Sequence, residues 1–135
     1  MGSPAQTIAI LHEVAESREP PASLVPWIAE DAVFHSPVMH APQHGRELVM
    51  QYLGAALQLF SQHGFHYVRK IVDEQDAALE FVAEIDGIHV NGVDLISFDS
   101  EGNIKDFKVI IRPRKAIEAV RARMLEQLET AKGGT

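Results

Sequence analysis

One acidic residue lies where the sequence otherwise predicts apolar side chains. Residues 88–99 alternate in character, and Asp94 shares the parity of Val90, Ile96 and Phe98. A carboxyl group among apolar neighbours loses hydration when it ionises, so its pKa should rise unless a cation or several donors stabilise the charge. Asp94 is therefore either an acid/base catalyst or a structural acid that backbone or hydroxyl donors satisfy.

His12 is the second residue that could do chemistry. Ile8, Leu11, His12 and Ala15 recur at helical spacing, which puts the imidazole on the apolar face of a first helix. A lone histidine in such a position is more often a satisfied core residue than a catalyst. Near a carboxylate, however, it could transfer a proton at neutral pH.

The remaining polar residues give weaker signals. Histidines cluster around one loop and one helix end without the helical spacing of a metal site, so no metal ligand is predicted among them: His35, His40, His44, His63 and His66. The sequence has no Gly-rich phosphate loop, nucleotide fingerprint or Ser-His-Asp signature. No cofactor is therefore expected.

Composition narrows the class of protein. The chain has 135 residues, 46% of them hydrophobic and 23% charged, which predicts a single folded domain over 1–135. A net charge of −7 disfavours nucleic acid and anionic membranes as partners. The absence of cysteine excludes disulfides and thiolate metal sites. With no basic, apolar leader and no bilayer-length apolar run, the sequence predicts a cytoplasmic location.

The N-terminal half predicts three helices around one strand. A helix from about residue 4 to 17 ends before Pro20, and Ser23 can cap a short second helix through Glu30, anchored by Trp27 and Ile28. The residues of 31–38 alternate as in a strand, with Ser36 on the face of the apolar side chains. A long helix follows, with apolar residues at helical spacing from 48 to 60.

The C-terminal half changes to period two. Residues 65–73, 77–86, 88–99 and 104–112 predict an antiparallel meander, and a closing helix follows Pro113, with a disordered tail at 131–135. Helices on one face of such a sheet give an α+β cone with a pocket. The predicted inward residues of the meander are Leu79, Phe81, Ala83, Ile85, Val90, Asp94, Ile96, Phe98, Phe107, Val109 and Ile111.

Three segments of the chain resemble the NTF2-like superfamily, in particular its SnoaL-like and ketosteroid-isomerase branch: 25–45, 90–98 and 102–113. The resemblance implies a cone in which a curved antiparallel sheet is wrapped by three N-terminal helices, with a further C-terminal helix. It does not fix the activity, because the superfamily includes isomerases, cyclases, dehydratases, epoxide hydrolases, transport factors and non-catalytic modules.

Site positions match this family only in part. Asp94 stands where the resemblance places the isomerase's oxyanion-hole acid, His12 where it places a tyrosine, and Ser36 where it places the proton-shuttling carboxylate. A serine hydroxyl is too weak a base to remove a carbon-bound proton, so ordinary ketosteroid isomerase chemistry is disfavoured. The epoxide-hydrolase roles are also disfavoured, because Gly92 replaces an arginine and Val109 an acid.

The resemblance implies that His12 and Asp94 meet at the pocket floor as an acid/base pair, with Ser36 opposite them. Apolar and aromatic side chains would bind the substrate together with Ser36: Phe34, Trp27, Tyr67, Phe81, Ile96, Phe107 and Val109. We expect cofactor-independent proton transfer on a small, mostly apolar carbonyl or hydroxyl compound, of isomerase, dehydratase, cyclase or lyase type. The alternative is a non-catalytic module that binds a hydrophobic ligand or only dimerises.

The outer face of the meander is mixed in character. Val93, Leu95 and Ile110 lie there among polar residues, and a fully solvated face would carry fewer aliphatic side chains. Members of the resembling family often pair through this surface, so a homodimer is predicted, with a monomer as the alternative.

Overall fold

The computed structural model of the chain describes residues 2–133. Three α-helices, one 3₁₀ helix and six strands follow one another within these residues: α1 (Pro4–Ala15), the 3₁₀ helix (Pro21–Trp27), β1 (Ile28–His35), β2 (Gln43–His44), α2 (Arg46–Ser61), β3 (His66–Val72), β4 (Asp76–Ile85), β5 (Ile88–Phe98), β6 (Ile104–Arg112) and α3 (Arg114–Gly133). None of the helices in this part of the chain is long and apolar enough to cross a bilayer.

The six strands form one curved sheet in the order β2-β1-β6-β5-β4-β3. Strands β3 to β6 pair as the predicted antiparallel meander. The sheet as a whole is mixed, however, because β1 runs parallel to β6. After β1 and β2, helix α2 leads the chain to β3 at the opposite edge of the sheet. The meander from β3 to β6 then runs back toward β1, so that β6 lies beside β1 and runs in the same direction. The short strand β2, which the sequence pattern did not predict, pairs with β1.

The junction between the second helix and the first strand differs from the prediction. The helix is a 3₁₀ helix that ends at Trp27, and the strand begins at Ile28 rather than at Asp31. Proline residues at 20, 21 and 26 lack the N–H groups of an α-helical ladder, so the segment forms only a short, tight helix. Leu24 and Ile28 are fully buried and anchor it, whereas Trp27 is only half-buried.

Helix α1 is fixed at its first turn. Ser3 and Gln6 form a capping box, in which each side chain accepts a hydrogen bond from the other residue's backbone N–H. The Thr7 hydroxyl donates a buried hydrogen bond of 2.6 Å to the carbonyl of Gly102 in the β5–β6 turn. These contacts hold α1 against the end of the meander and so set the place of His12, at its other end.

The core lies between the helices and the inner face of the sheet. Every meander residue predicted to face inward is buried, with at most 7% of its surface exposed. Aromatic rings fill the part of this core under α2: Phe60, Phe65, Phe81 and Tyr67 form a chain of ring contacts with centroids 4.9 to 5.6 Å apart. Gly92 faces the Phe81 ring, and a Cβ atom there would also come within 2.8 Å of the Ile110 carbonyl oxygen.

The predicted closing helix is α3. Among its residues 114–129, Ala116, Val120 and Met124 are buried, at the spacing of one helical face. The helix continues to Gly133, so the backbone of 131–133, predicted as part of a disordered tail, is helical. Residues 134 and 135 lie outside the described part of the chain.

Candidate functional site

Asp94 lies in the middle of the sheet with its side chain on the inner face. It pairs with Leu79 on β4 and Val109 on β6, and only 5% of its surface is exposed. Burial among apolar side chains disfavours the ionised carboxylate and raises the pKa of Asp94 to about 7. A hydrogen bond from Tyr67 opposes this shift but is the smaller effect.

The Tyr67 hydroxyl donates a hydrogen bond of 3.2 Å to Oδ2 of Asp94. Burial and the neighbouring carboxylate raise the pKa of Tyr67 well above its ordinary value, because both disfavour a phenolate. Tyr67 therefore remains a donor at neutral pH, while Asp94 can gain or lose a proton there. The half-buried Tyr67 and the buried Asp94 thus form a pair in which the tyrosine keeps its proton and the aspartate can exchange one.

A β-bulge in β3 decides which side chains reach this pair. Tyr67 pairs with Phe81 and Lys70 pairs with Leu79, and the register shifts between Tyr67 and Arg69. Because Phe81 and Leu79 both face inward, Tyr67 and Lys70 share the inner face although they are three residues apart. Regular alternation from Tyr67 would have put Arg69 on this face.

His12 does not bond to Asp94, contrary to the prediction. Its Nε2 faces the Glu16 carboxylate and its Nδ1 faces the Lys70 ammonium. Its ring lies against that of Tyr67, with centroids 5.9 Å apart, and Tyr67 thus stands between the imidazole and the carboxyl of Asp94. The physical reason is placement: α1 covers the sheet edge at β3, two strands away from Asp94, and leaves 27% of the His12 side chain exposed.

Two residues at this site were missed by the sequence reasoning. Glu16, the C-cap residue of α1, follows His12 by four residues, a spacing that brings side chains on a helix together and could have predicted the pair. Lys70 gave no such signal, because its inward orientation depends on the bulge. Its ammonium also lies 5.5 Å from the centroid of the Tyr67 ring, at cation–π distance.

Most of the residues predicted to bind substrate do lie on the inner face. Five are buried in the core around Asp94: Phe34, Phe81, Ile96, Phe107 and Val109. Ser36 is buried just beyond the end of β1, where its Oγ accepts a hydrogen bond of 3.2 Å from the Val38 amide. No three His, Asp or Glu side chains within the described residues are close enough together to hold a metal ion.

Trp27 is the exception. At the end of the 3₁₀ helix its ring packs against Gly2 and borders a surface groove that Gln6 and Asn103 also line. Trp27 therefore lies apart from the inner face, where most of the other predicted substrate-binding residues lie. The reason is the helix end, because the chain becomes extended at Ile28 and it is Ile28, not Trp27, that enters the core.

Two shallow grooves lie on the outer face of the sheet, opposite the Tyr67–Asp94 pair. The first has a volume of about 380 Å³ and is lined by Arg69, Ile71, Ile110 and Arg112 among others. The second, of about 370 Å³, lies toward the other end of the strands, where Asp76 and Asp106 border it. Both grooves belong to the mixed surface that the sequence pattern predicts.

Residues 11–107 match the model of the SnoaL-like domain, a stretch that contains both His12 and Asp94. The chain belongs to the SnoaL-like family. This assignment agrees with the cone and with the order of its elements. A comparison with curated proteins found no match.

Solved structures extend this SnoaL-like assignment over nearly the whole chain. A steroid delta-isomerase from Pseudomonas aeruginosa is 31% identical with a TM-score of 0.89, covering 98% of this chain and 96% of its own. An uncharacterised protein with a cystatin-like fold from Silicibacter pomeroyi is 35% identical with a TM-score of 0.82, covering 92% and 86%. A putative SnoaL-like polyketide cyclase from Jannaschia shares the fold at 12% identity, with a TM-score of 0.66 and coverage of 88% and 92%.

Proposed function

We propose that this SnoaL-like protein is a cofactor-independent enzyme that transfers a proton on a small, mostly apolar carbonyl or hydroxyl compound. The reaction would be an isomerisation, dehydration, cyclisation or lyase-type cleavage. The observation that supports this most is the hydrogen bond between Tyr67 and the buried Asp94. An acid with a pKa of about 7 is populated in both protonation states at neutral pH, which is the condition under which general acid/base catalysis is most efficient.

Each polar group of the site has a role in this proposal. Asp94 exchanges a proton with the oxygen of the ligand, and Tyr67 orients the Asp94 carboxyl through its hydroxyl. His12, on the far side of the Tyr67 ring, is the second acid/base group. Ser36 contributes a hydroxyl from the end of β1. The aromatic rings around Asp94 favour an apolar ligand body, since burying it removes hydrocarbon surface from water.

Isotope exchange tests this proposal even while the product of the reaction is unidentified. The protein is incubated in D₂O with a panel of cyclic ketones and hydroxyketones, and deuterium uptake next to the carbonyl is followed by ¹H NMR. We expect Asp94→Asn to lower the exchange rate of a responsive ketone by about 100-fold or more, the range of general acid/base effects. His12→Ala should lower it by a smaller factor.

Asp31→Asn is the matched control, because Asp31 is an exposed carboxylate on β1 and its loss should leave the exchange rate unchanged. If Asp94→Asn and His12→Ala both retain the rate of the unsubstituted protein, the proposed mechanism is wrong.

A second candidate is a non-catalytic module that binds a hydrophobic ligand. It is favoured by Ser36 at the position of the family's base and by the dense packing of the inner face, where Phe34, Phe81 and Phe107 are fully buried. A module of this kind would bind apolar probes such as a steroid or a fatty acid, but would promote no isotope exchange with any ketone of the panel.

We further propose a homodimer formed through the outer face of the sheet, in a cytoplasmic protein. The centre of this face carries aliphatic side chains, of which Ile110 on β6 is 49% and Leu95 on β5 is 38% exposed. Arg112 lies toward one end and Asp76 and Asp106 toward the other. A two-fold axis through the aliphatic centre would bring the arginine of each copy near the acidic end of its partner.

Sedimentation velocity tests the dimer. Ile110→Glu should convert it to a monomer, whereas Leu48→Glu, at a comparably exposed position on α2, should leave the sedimentation coefficient unchanged. Monomeric behaviour of the unsubstituted protein at micromolar concentration would contradict the proposal.

A further inference from the structure

The two ring nitrogens of His12 face groups of opposite character. Nδ1 faces the ammonium of Lys70, which has protons to donate but no lone pair to offer. Nδ1 must therefore carry the lone pair in this contact. A neutral imidazole then has its proton on Nε2, the nitrogen that faces the carboxylate of Glu16. Both contacts thus require the same tautomer.

We propose that Lys70 is a positioning residue that holds His12 in the Nε2–H tautomer. The inference rests on the proposed function only in giving His12 a part in proton transfer. With this tautomer, the ring is a base at Nδ1 and a hydrogen-bond donor at Nε2. When a ligand displaces the ammonium, Nδ1 takes a proton from the ligand, so that the ligand's bond to this proton breaks and an N–H bond forms at Nδ1. The imidazolium keeps its Nε2 proton, and the Glu16 carboxylate stabilises its charge.

Two elements bring these groups together. The bulge in β3 turns Lys70 to the inner face of the strand, where its side chain remains exposed and its ammonium lies 5.5 Å from the centroid of the Tyr67 ring. Helix α1 supplies His12 from its last turn, and Glu16 is the C-cap residue of the same helix. The titratable groups that contact the imidazole are thus Glu16 at the end of α1 and Lys70 and Tyr67 on β3, with Asp94 of β5 behind the Tyr67 hydroxyl.

Long-range ¹H–¹⁵N NMR of the full chain tests the proposal, because protonated and unprotonated ring nitrogens have well-separated ¹⁵N shifts. Spectra are recorded at about pH 8.5, some two units above the ordinary histidine pKa, and His12→Gln identifies the signals of His12. We expect the unsubstituted protein to show the Nε2–H form. Glu16→Ala should retain this form, because Lys70 alone still requires a lone pair at Nδ1.

The decisive comparison is made without Glu16. Adding Lys70→Met to Glu16→Ala should raise the Nδ1–H fraction severalfold, and Lys70→Arg in the same background should restore the Nε2–H form. Lys105→Met, at an exposed lysine of β6, is the control and should change nothing. Equal tautomer fractions in Glu16→Ala with and without Lys70 would overturn the proposal, as would a dominant Nδ1–H form in the unsubstituted protein.

This measurement needs no substrate. A failure of the tautomer prediction would therefore leave the exchange activity of Asp94 standing. A protein without exchange activity could still show the tautomer held by Lys70, so the two proposals fail separately.

Discussion

The two faces of strands β4, β5 and β6 carry residues of the same types, but those on the inner face are buried and those on the outer face are half-buried or exposed. On the inner face, Leu79 lies beside Asp94, and both are almost completely buried. On the outer face, Leu95 lies beside Lys108 on the next strand and is 38% exposed. Alternation along each strand makes this division. The comparison shows that the face on which a leucine or a carboxyl group lies decides whether it is buried, and burial decides what it contributes to stability or to the site.

Two aspartates of the β4–β5 hairpin differ in pKa for the same reason, namely their different environments. Asp86, in the exposed turn, accepts hydrogen bonds from Arg123, which lower its pKa. Asp94, eight residues later on the inner face, pairs with a tyrosine hydroxyl instead of a cation, and burial raises its pKa to about 7. The turn aspartate thus remains ionised at neutral pH, whereas the buried one is poised to exchange a proton.

The largest expected effect is a pH dependence of stability caused by Asp94. Between about pH 4 and 7 the unfolded chain has lost this proton while the native protein keeps it. The free energy of unfolding should therefore fall as pH rises, by about 1.4 kcal/mol per unit and about 4 kcal/mol in all. Urea unfolding across this range should show the fall in the unsubstituted protein and not in Asp94→Asn.

Asp86→Asn provides a control of opposite sign. Its lowered pKa stabilises the native state above the unfolded pKa, and this contribution is lost as pH falls through the native pKa. Asp86→Asn should therefore lower the free energy of unfolding by a constant amount above about pH 4 and change the slope of the profile only on the acid side, below about pH 4. Identical profiles for Asp94→Asn and the unsubstituted protein would refute a raised pKa at Asp94.

The next largest effect compares leucines on the two faces. Leu79→Ala should lower the free energy of unfolding by about 3 kcal/mol, because it leaves a cavity in the fully buried core. Leu95→Ala should change it by about 0.5 kcal/mol or less, measured at a concentration low enough to exclude self-association. Similar losses for both variants would show that the outer face is as tightly packed as the inner one.

Gly92→Ala tests how closely the inner face is packed. The added methyl group would overlap the Phe81 ring and come within 2.8 Å of the Ile110 carbonyl oxygen. We expect a loss of about 2 kcal/mol in thermal or urea unfolding, the typical result of overpacking. Phe81→Leu in the same background should recover part of this loss by making room, and absence of any recovery would contradict a role for the ring.

Tyr67→Phe gives the smallest effect and concerns the site alone. The Tyr67 hydroxyl lowers the pKa of Asp94 against the effect of burial, so removing it should raise that pKa above about 7. We expect the Asp94 carboxyl to titrate at a higher pH in Tyr67→Phe than in the unsubstituted protein. The ¹³C shift of the Asp94 carboxyl during a pH titration measures it. An unchanged or lower midpoint would mean that the hydroxyl does not donate to Asp94.

Much of the fold could be predicted because the spacing of apolar residues in the sequence indicates which face of each element is buried. The alternation in 77–86, 88–99 and 104–112 predicts the faces of β4, β5 and β6, and every predicted inward residue of these strands is buried. Periodicity identifies a face but not a local break in the pairing. The three prolines before Ile28 shorten the second helix, so its predicted end and the predicted start of β1 were wrong. The bulge near Val68 breaks the alternation of β3, so the inward orientation of Lys70 was missed.

For the site, the sequence predicts the orientation of individual side chains but not which of them contact each other. The inward orientation of Asp94 follows from its parity with Ile96 and Phe98, and the sequence therefore predicts the burial that raises its pKa. Its partner does not follow, because a hydrogen bond depends on lateral distances across strands and on the length of each side chain. Tyr67 reaches Asp94 from two strands away, whereas His12 remains at the sheet edge with Glu16.

The bulge in β3 has a consequence for variation in chain length. In a regular strand, deleting one residue turns all the following side chains to the opposite face. At Val68, which is 51% exposed, the deletion would instead remove the surplus residue and restore regular pairing. Lys70 would still point to the side of α1 and Ile71 to the outer face. This edge strand could therefore be shortened by one residue while each side chain keeps its face.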